Sequence, residues 1–98
     1  ANKKKYDIFR KGKFFHNGLI KIQKKYNSIK YVNGKGLIFA LVFSKNKIKK
    51  LKDVVNGCMK DGLLLVYTGR ESIKLGPPLT ISIKALDVSL KIIDKNLY

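Results

Sequence analysis

The sequence predicts one two-layer α/β (α+β) domain, residues 1–98, with three helices over a small, mostly antiparallel sheet of three to four strands. Three observations lead there. Apolar residues recur at helical spacing in three separate segments. Short runs rich in β-branched and aromatic residues lie between those segments. Glycine, proline or asparagine marks the junctions. The order is helix, strand, helix, strand, strand, helix, and such elements bury one another only as packed layers around a single core.

The first helix is expected from about Lys4 to Tyr26, because Ile8, Phe15, Leu19, Ile22 and Tyr26 recur at steps of seven, four, three and four with lysines between them. Gly12 and Gly18 each cost about 1 kcal/mol there relative to alanine. Asn27-Ser28 ends the helix by competing for its backbone. Ile29–Val32 reads as a short extended stretch, Asn33-Gly34-Lys35-Gly36 as a turn, and Leu37–Phe43 as a strand covered on at least one face. Ser44-Lys45-Asn46 leads into a second helix whose buried stripe is Ile48, Leu51, Val54/Val55 and Cys58/Met59. Gly62 suits the left-handed position that ends it.

Leu63–Tyr67 and Ser72–Leu75 are two further extended runs around Thr68-Gly69-Arg70-Glu71, a hairpin pattern. Pro77-Pro78 cannot donate ladder hydrogen bonds, so the strand must stop at Gly76. The last helix opens with Ser82 as N-cap and an Ile81/Leu86 staple. Ile83, Leu86, Leu90, Ile93 and Leu97 form its apolar face.

Composition narrows the function classes. Twenty-two Lys/Arg against six Asp/Glu give a net charge of +16, which invites a nucleic-acid reading. Arg10 and Arg70 are the only arginines, however, and the lysines are spread along every segment. Sequence-reading proteins rely on the bidentate fork of arginine. The pattern is that of a solvated lysine-rich surface, and it argues against nucleic acid as a partner. No apolar run approaches the ~18 residues of a membrane span, and no signal peptide follows the lysine-rich start, so a cytoplasmic protein is expected. The single cysteine, Cys58, excludes an internal disulfide and reads as a buried helix residue. His16 has no second histidine or cysteine with which to hold a metal, and it reads as a helix-surface residue. The six acids form no pair at a spacing that shared acid/base work requires. Asn33-Gly34-Lys35-Gly36 lacks both the spacing and the following Ser/Thr of a phosphate loop. No catalytic, cofactor-binding or metal-binding residue is visible from residue types alone.

Three segments in order carry a resemblance. Val32-Asn33-Gly34-Lys35-Gly36-Leu37 is similar to a V-R-G-x-G-L turn, with Asn33 in place of the arginine. Gly62-Leu63-Leu64-Leu65-Val66 is similar to a G-L-L-L strand. Ile73-Lys74-Leu75-Gly76-Pro77-Pro78-Leu79-Thr80-Ile81 is similar to an I-R-L-x-P-P-L-T-I strand that precedes a final helix. Together they resemble the C-terminal small domain of class III (fold-type I) aminotransferases, which depend on pyridoxal 5'-phosphate (PLP), and of the related glutamate-1-semialdehyde aminomutases. The resemblance covers essentially the whole chain.

It implies a small α/β domain packed beside a large PLP-binding domain of the same protein, a homodimer, and a small-molecule amino donor and acceptor. The Schiff-base lysine lies in the large domain, so the 98-residue chain alone is expected to be inactive and to bind no cofactor; Ala1 at the start fits an excised or processed piece. The substrate-binding candidates are Lys74, where many members have an arginine for the substrate carboxylate, and Arg70; Tyr67 lies on the same hairpin. Lysine offers a point charge where arginine offers a fork, so substrate geometry should differ. An apolar docking face should stand exposed, favouring self-association. The alternative reading is a stand-alone basic module for an acidic partner or nucleic acid, whose binding would fall steeply with salt.

Overall fold

A computed structural model describes residues 7–98; the predicted start of the first helix, residues 4–6, lies outside them. Helix α1 spans Ile8–Lys25, and its stripe buries Phe15, Leu19 and Ile22. Strand β1 is Ile29–Lys35 and β2 is Ile38–Phe43. A single 3-10 turn, Lys45–Lys47, leads into α2, Ile48–Lys60. Strands β3, Val66–Tyr67, and β4, Ser72–Leu75, precede α3, Ile83–Leu97. The sheet has four strands in the order β1-β2-β4-β3, and every neighbouring pair is antiparallel. This is the predicted two-layer α+β sandwich, at the upper end of the predicted strand number.

Alternation places each residue type. Phe39, Leu41 and Phe43 of β2, with Ile73 and Leu75 of β4, point into the core against Phe15, Leu19, Leu51, Leu86 and Ile93. All three helices supply that opposing layer. The other face of the sheet carries Tyr31, Asn33 and Lys35 of β1, then Ile38, Ala40 and Val42 of β2, then Ser72 and Lys74 of β4, then Val66 of β3. No described element covers it: Ile38 is 68% exposed, Val66 56% and Tyr31 54%.

Local details follow from the residues present. Between Ile29 and Tyr31 the β1–β2 register slips at Lys30, a bulge whose free carbonyl accepts from Gln23 Nε2 at 2.9 Å. Ser82 Oγ accepts from the Ala85 amide at 3.1 Å, the cap expected for α3. Gly62, at φ 91°, follows α2 in the left-handed conformation.

Three expectations are corrected. Asn33, Gly34 and Lys35 are strand residues paired with Ala40, Phe39 and Ile38, so the turn is Gly36-Leu37, with Gly36 at φ 62°. The ladder continues through this weak β sequence because Gly34 lets the Phe39 ring lie against its Cα, where a Cβ would meet that ring at 2.1 Å. Leu63–Leu65 is not strand; Leu65 turns its side chain into the core, and pairing begins only at Val66. Met59 leaves the α2 stripe and is 54% exposed, while Cys58 is fully buried.

A polar latch ties α1 to α3. Lys25 Nζ lies 2.7 Å from Asp94 Oδ2, and the Tyr26 hydroxyl donates to the other carboxylate oxygen and to the Asp94 carbonyl. The hydrogen bond from Lys25, then that from Tyr26, holds the Asp94 carboxyl below the usual aspartate range. A depressed folded-state value means the latch stabilises above the unfolded value and is lost as pH falls through the folded one. Asp94→Asn should therefore lower Tm at neutral pH, and the gap from the parent should close as pH drops below about 4. Thermal melts of both proteins from neutral to strongly acid pH measure it; a gap independent of pH would remove the ionised latch.

Candidate functional site

Lys74 sits in the middle of β4, opposite Ala40 on one side and Val66 on the other. Its side chain leaves the open face of the sheet and forms no ion pair among the described residues. At the end of its strand the chain turns through Gly76-Pro77-Pro78, and beside it runs the segment before β3. Between them lies a groove of about 310 Å³ lined by Leu63, Leu64, Val66, Lys74, Pro77 and Pro78, with Phe15 at its floor. The lining is apolar apart from Lys74 and Ser89, and it contains no carboxylate. A lone cation at the rim of an apolar cleft is suited to a ligand with an anionic group and an aliphatic body.

The other sequence candidates are not gathered there. Arg70 lies in the loop of the β3–β4 hairpin, beyond the last pair, Tyr67–Ile73. Tyr67 pairs with the inward-facing Ile73, so it projects on the helix side of the sheet, opposite to Lys74. Thr68 and Ser72 hold the hairpin closed, Oγ to Oγ at 2.7 Å. The structure thus brings Lys74 alone of the three to the groove.

A second cavity, about 490 Å³ between α1 and α3, is richer in charge, but four of its five ions are turned on one another, Lys25 with Asp94 at 2.7 Å and Lys91 with Asp87 at 3.1 Å, with Lys21 as the fifth. His16 is half-buried and stacks on Phe39 with centroids 5.9 Å apart, a packing role. Burial, then the nearby Asp61, pushes the Cys58 thiol up to about 11, so it is no nucleophile at neutral pH. Among the described residues no group of three His, Cys, Asp or Glu could hold a metal, and no helix is long and apolar enough to cross a membrane.

PLP needs a lysine amine for its Schiff base and a charged partner for its ring nitrogen. The groove beside Lys74 does not supply both. The buried lysine, Lys11, donates to the Leu79 carbonyl at 3.0 Å, and the groove beside Lys74 offers no carboxylate. Lys11 was not among the sequence candidates. Its signal was the seven-residue gap in the α1 stripe between Ile8 and Phe15, where Lys11 occupies a core position.

Comparison with known proteins bears on the family and the fold. The family model described as aminotransferase class-III matches residues 4–97. The acetylornithine aminotransferase of Caldanaerobacter subterraneus subsp. tengcongensis is 31% identical over 87 residues, which cover 89% of this chain and 21% of that protein. The mitochondrial acetylornithine aminotransferase of Debaryomyces hansenii is 33% identical over 90 residues, 91% of this chain and 19% of that one. Among solved structures, the acetylornithine aminotransferase of Elizabethkingia anophelis superposes with a TM-score of 0.82 at 29% identity, over 90% of this chain and 22% of its own. The ornithine aminotransferase of Plasmodium yoelii gives 0.81 at 30% identity, over 90% and 23%. The chain spans about a fifth of the length of the curated relatives it matches.

Proposed function

Because this chain belongs to the class III aminotransferase family, we propose that it forms the C-terminal small domain of a PLP-dependent enzyme that transfers an amino group between a small-molecule donor and a carbonyl acceptor. PLP, held by the large domain of the same protein, supplies the electron sink for that transfer. The names of the relatives, acetylornithine and ornithine aminotransferases, favour transfer between two substrates over an aminomutase shift within one. The reading takes the intact protein to be a cytoplasmic homodimer, as the family resemblance implies. The alternative of a stand-alone basic binding module gains no support from the relatives or from the fold.

The observation that carries the reading is Lys74, a cation unpaired among the described residues, on the open sheet face at the rim of an apolar groove, at the place of the arginine in the I-R-L-x-P-P-L-T-I pattern. In this reading its ammonium contacts the carboxylate of the amino donor while the groove takes part of the donor's aliphatic chain. The point charge orients that carboxylate less strictly than a bidentate fork, so carboxylates of differing geometry should be accepted. The open face itself, with Ile38, Val66 and Tyr31 exposed around Lys74, is the surface we assign to docking on the large domain. Its apolar centre would be buried there, leaving Lys74 facing the shared site.

Lys74→Ala in the intact enzyme is expected to raise KM for carboxylate-bearing donors about 10- to 100-fold, the worth of a hydrogen bond to a charged group. The effect on kcat should be smaller. Steady-state kinetics across several donors reads this, and an unchanged KM for all of them would take Lys74 out of the site. The docking assignment has its own check. The 98-residue chain should self-associate in analytical ultracentrifugation, and Ile38→Lys with Val66→Lys should return it to monomer. Self-association unaffected by those two changes would place the sticky surface elsewhere.

A further inference from the structure

Lys11 of α1 is the only charged side chain buried among the described residues, at 7% exposure. It stands three residues after Ile8 and four before Phe15, on the stripe that faces the core. An ammonium at such a position gives up hydration and must recover it through hydrogen bonds. Its partner is not a carboxylate: Nζ donates to the backbone carbonyl of Leu79, 3.0 Å away and 68 residues later in the chain.

That carbonyl belongs to the connection 76–81 between β4 and α3. Pro77 and Pro78 have no N–H, and the backbone hydrogen bond within the connection runs from the Ile81 amide to the Pro78 carbonyl at 2.9 Å. The segment therefore has little of its own to fix its position. It also forms a wall of the Lys74 groove, through Gly76, Pro77, Pro78 and Ile81, while Phe15, one helical turn from Lys11, forms the floor. An apolar residue at position 11 would fill the stripe without the desolvation cost, but it could not hold the carbonyl.

We propose that Lys11 is a positioning residue of the Lys74 groove: its buried ammonium pins the Leu79 carbonyl and so sets the wall of Gly76, Pro77, Pro78 and Ile81 relative to Lys74. The importance of the wall for substrate rests on the proposed function, whereas the tether stands on the geometry alone. Fixing the wall sets the width of the groove and hence which donor chains fit, so the tether should act on KM more than on kcat.

Amide hydrogen exchange on the intact protein tests the tether without substrate. Lys11→Met, which keeps the aliphatic stem, should speed exchange at Ile81, whose amide donates the hydrogen bond within the connection, by about tenfold, the loss of one charge-assisted hydrogen bond. The amides of β2 and the centre of α1 should keep their parent rates. Lys11→Arg, which can still donate to the carbonyl, should restore protection at Ile81, and KM should rise for the Met protein and recover for the Arg protein. If Lys11→Met does not fold, Lys11→Gln, whose polar tip falls short of the carbonyl, is read at the same amide. Unchanged exchange at Ile81, or a rise spread evenly over the domain, would overturn the proposal by showing that Lys11 only fills space. Lys74→Ala reads substrate contact without touching this connection, so the failure of either idea is visible separately.

Discussion

Phe15→Ala is expected to lower the stability of this domain by about 3–5 kcal/mol, the usual cost of truncating a buried aromatic residue. Phe15 is 1% exposed and meets Phe39 edge to face at 5.3 Å between centroids, so truncation removes apolar burial and an aromatic pair together. Backbone collapse cannot close the hole, because Phe15 lies where α1, β2 and the groove floor converge. Domains of this size hold only about 5–15 kcal/mol in total. For a chain of this length each kcal/mol moves Tm by about 4–8 °C, so the variant should melt more than 12 °C below the parent or fail to fold. Phe9, 83% exposed on the same helix, is the control, and Phe9→Ala should sit within about 0.5 kcal/mol of the parent. Equal losses at the two positions in denaturant titrations would mean that α1 does not present the stripe described.

Where the fold was legible in the residues, each signal had a single local cause. Ser82 before an amphipathic run, Gly62 after one, and Pro77-Pro78 after Leu75 each admit one backbone answer, and the structure returned it at all three places. The Asn33-Gly34-Lys35 stretch misled because its residues disfavour strands, whereas pairing with β2 and the contact between Gly34 and Phe39 are tertiary facts that outweigh propensity. Leu63–Leu65 misled in the opposite sense. Three leucines read as a strand, yet they form the crossing from α2 to the sheet edge, with Leu65 buried in the core and Leu63 packed against it.

The site divides in the same way. Lys74 was singled out because it stands in a long, unusual motif. The groove was not, since its walls come from α1, the segment before β3, and the connection after β4, which are remote in sequence. Lys11 lay between these cases. A helical stripe that skips from Ile8 to Phe15 leaves a core position to be filled, and a lysine there needs an acceptor. Its acceptor, a backbone carbonyl, has no sequence signature.

Gly12→Ala brings these threads to one point. On helix propensity alone alanine should stabilise α1 by about 1 kcal/mol. The structure reverses that expectation, because a Cβ at position 12 would lie 2.3 Å from the carbonyl oxygen of Gly36. The obstacle is backbone and cannot rotate aside. Gly36 is held at φ 62° in the turn between β1 and β2, so its carbonyl cannot retreat without disturbing the β1–β2 hairpin. The expected result is a net loss of about 1–3 kcal/mol, the cost of overpacking a close contact. Gly18→Ala isolates the cause. There the nearest atom, also at 2.3 Å, is the tip of the Leu90 side chain, which can change rotamer. It should therefore lose less than Gly12→Ala although both sit in α1 and gain the same propensity. Urea midpoints at unchanged slope measure the pair. A Gly12→Ala protein as stable as its Gly18→Ala counterpart would show that α1 does not bear on the Gly36 turn, and the close approach of helix to hairpin would have to be abandoned.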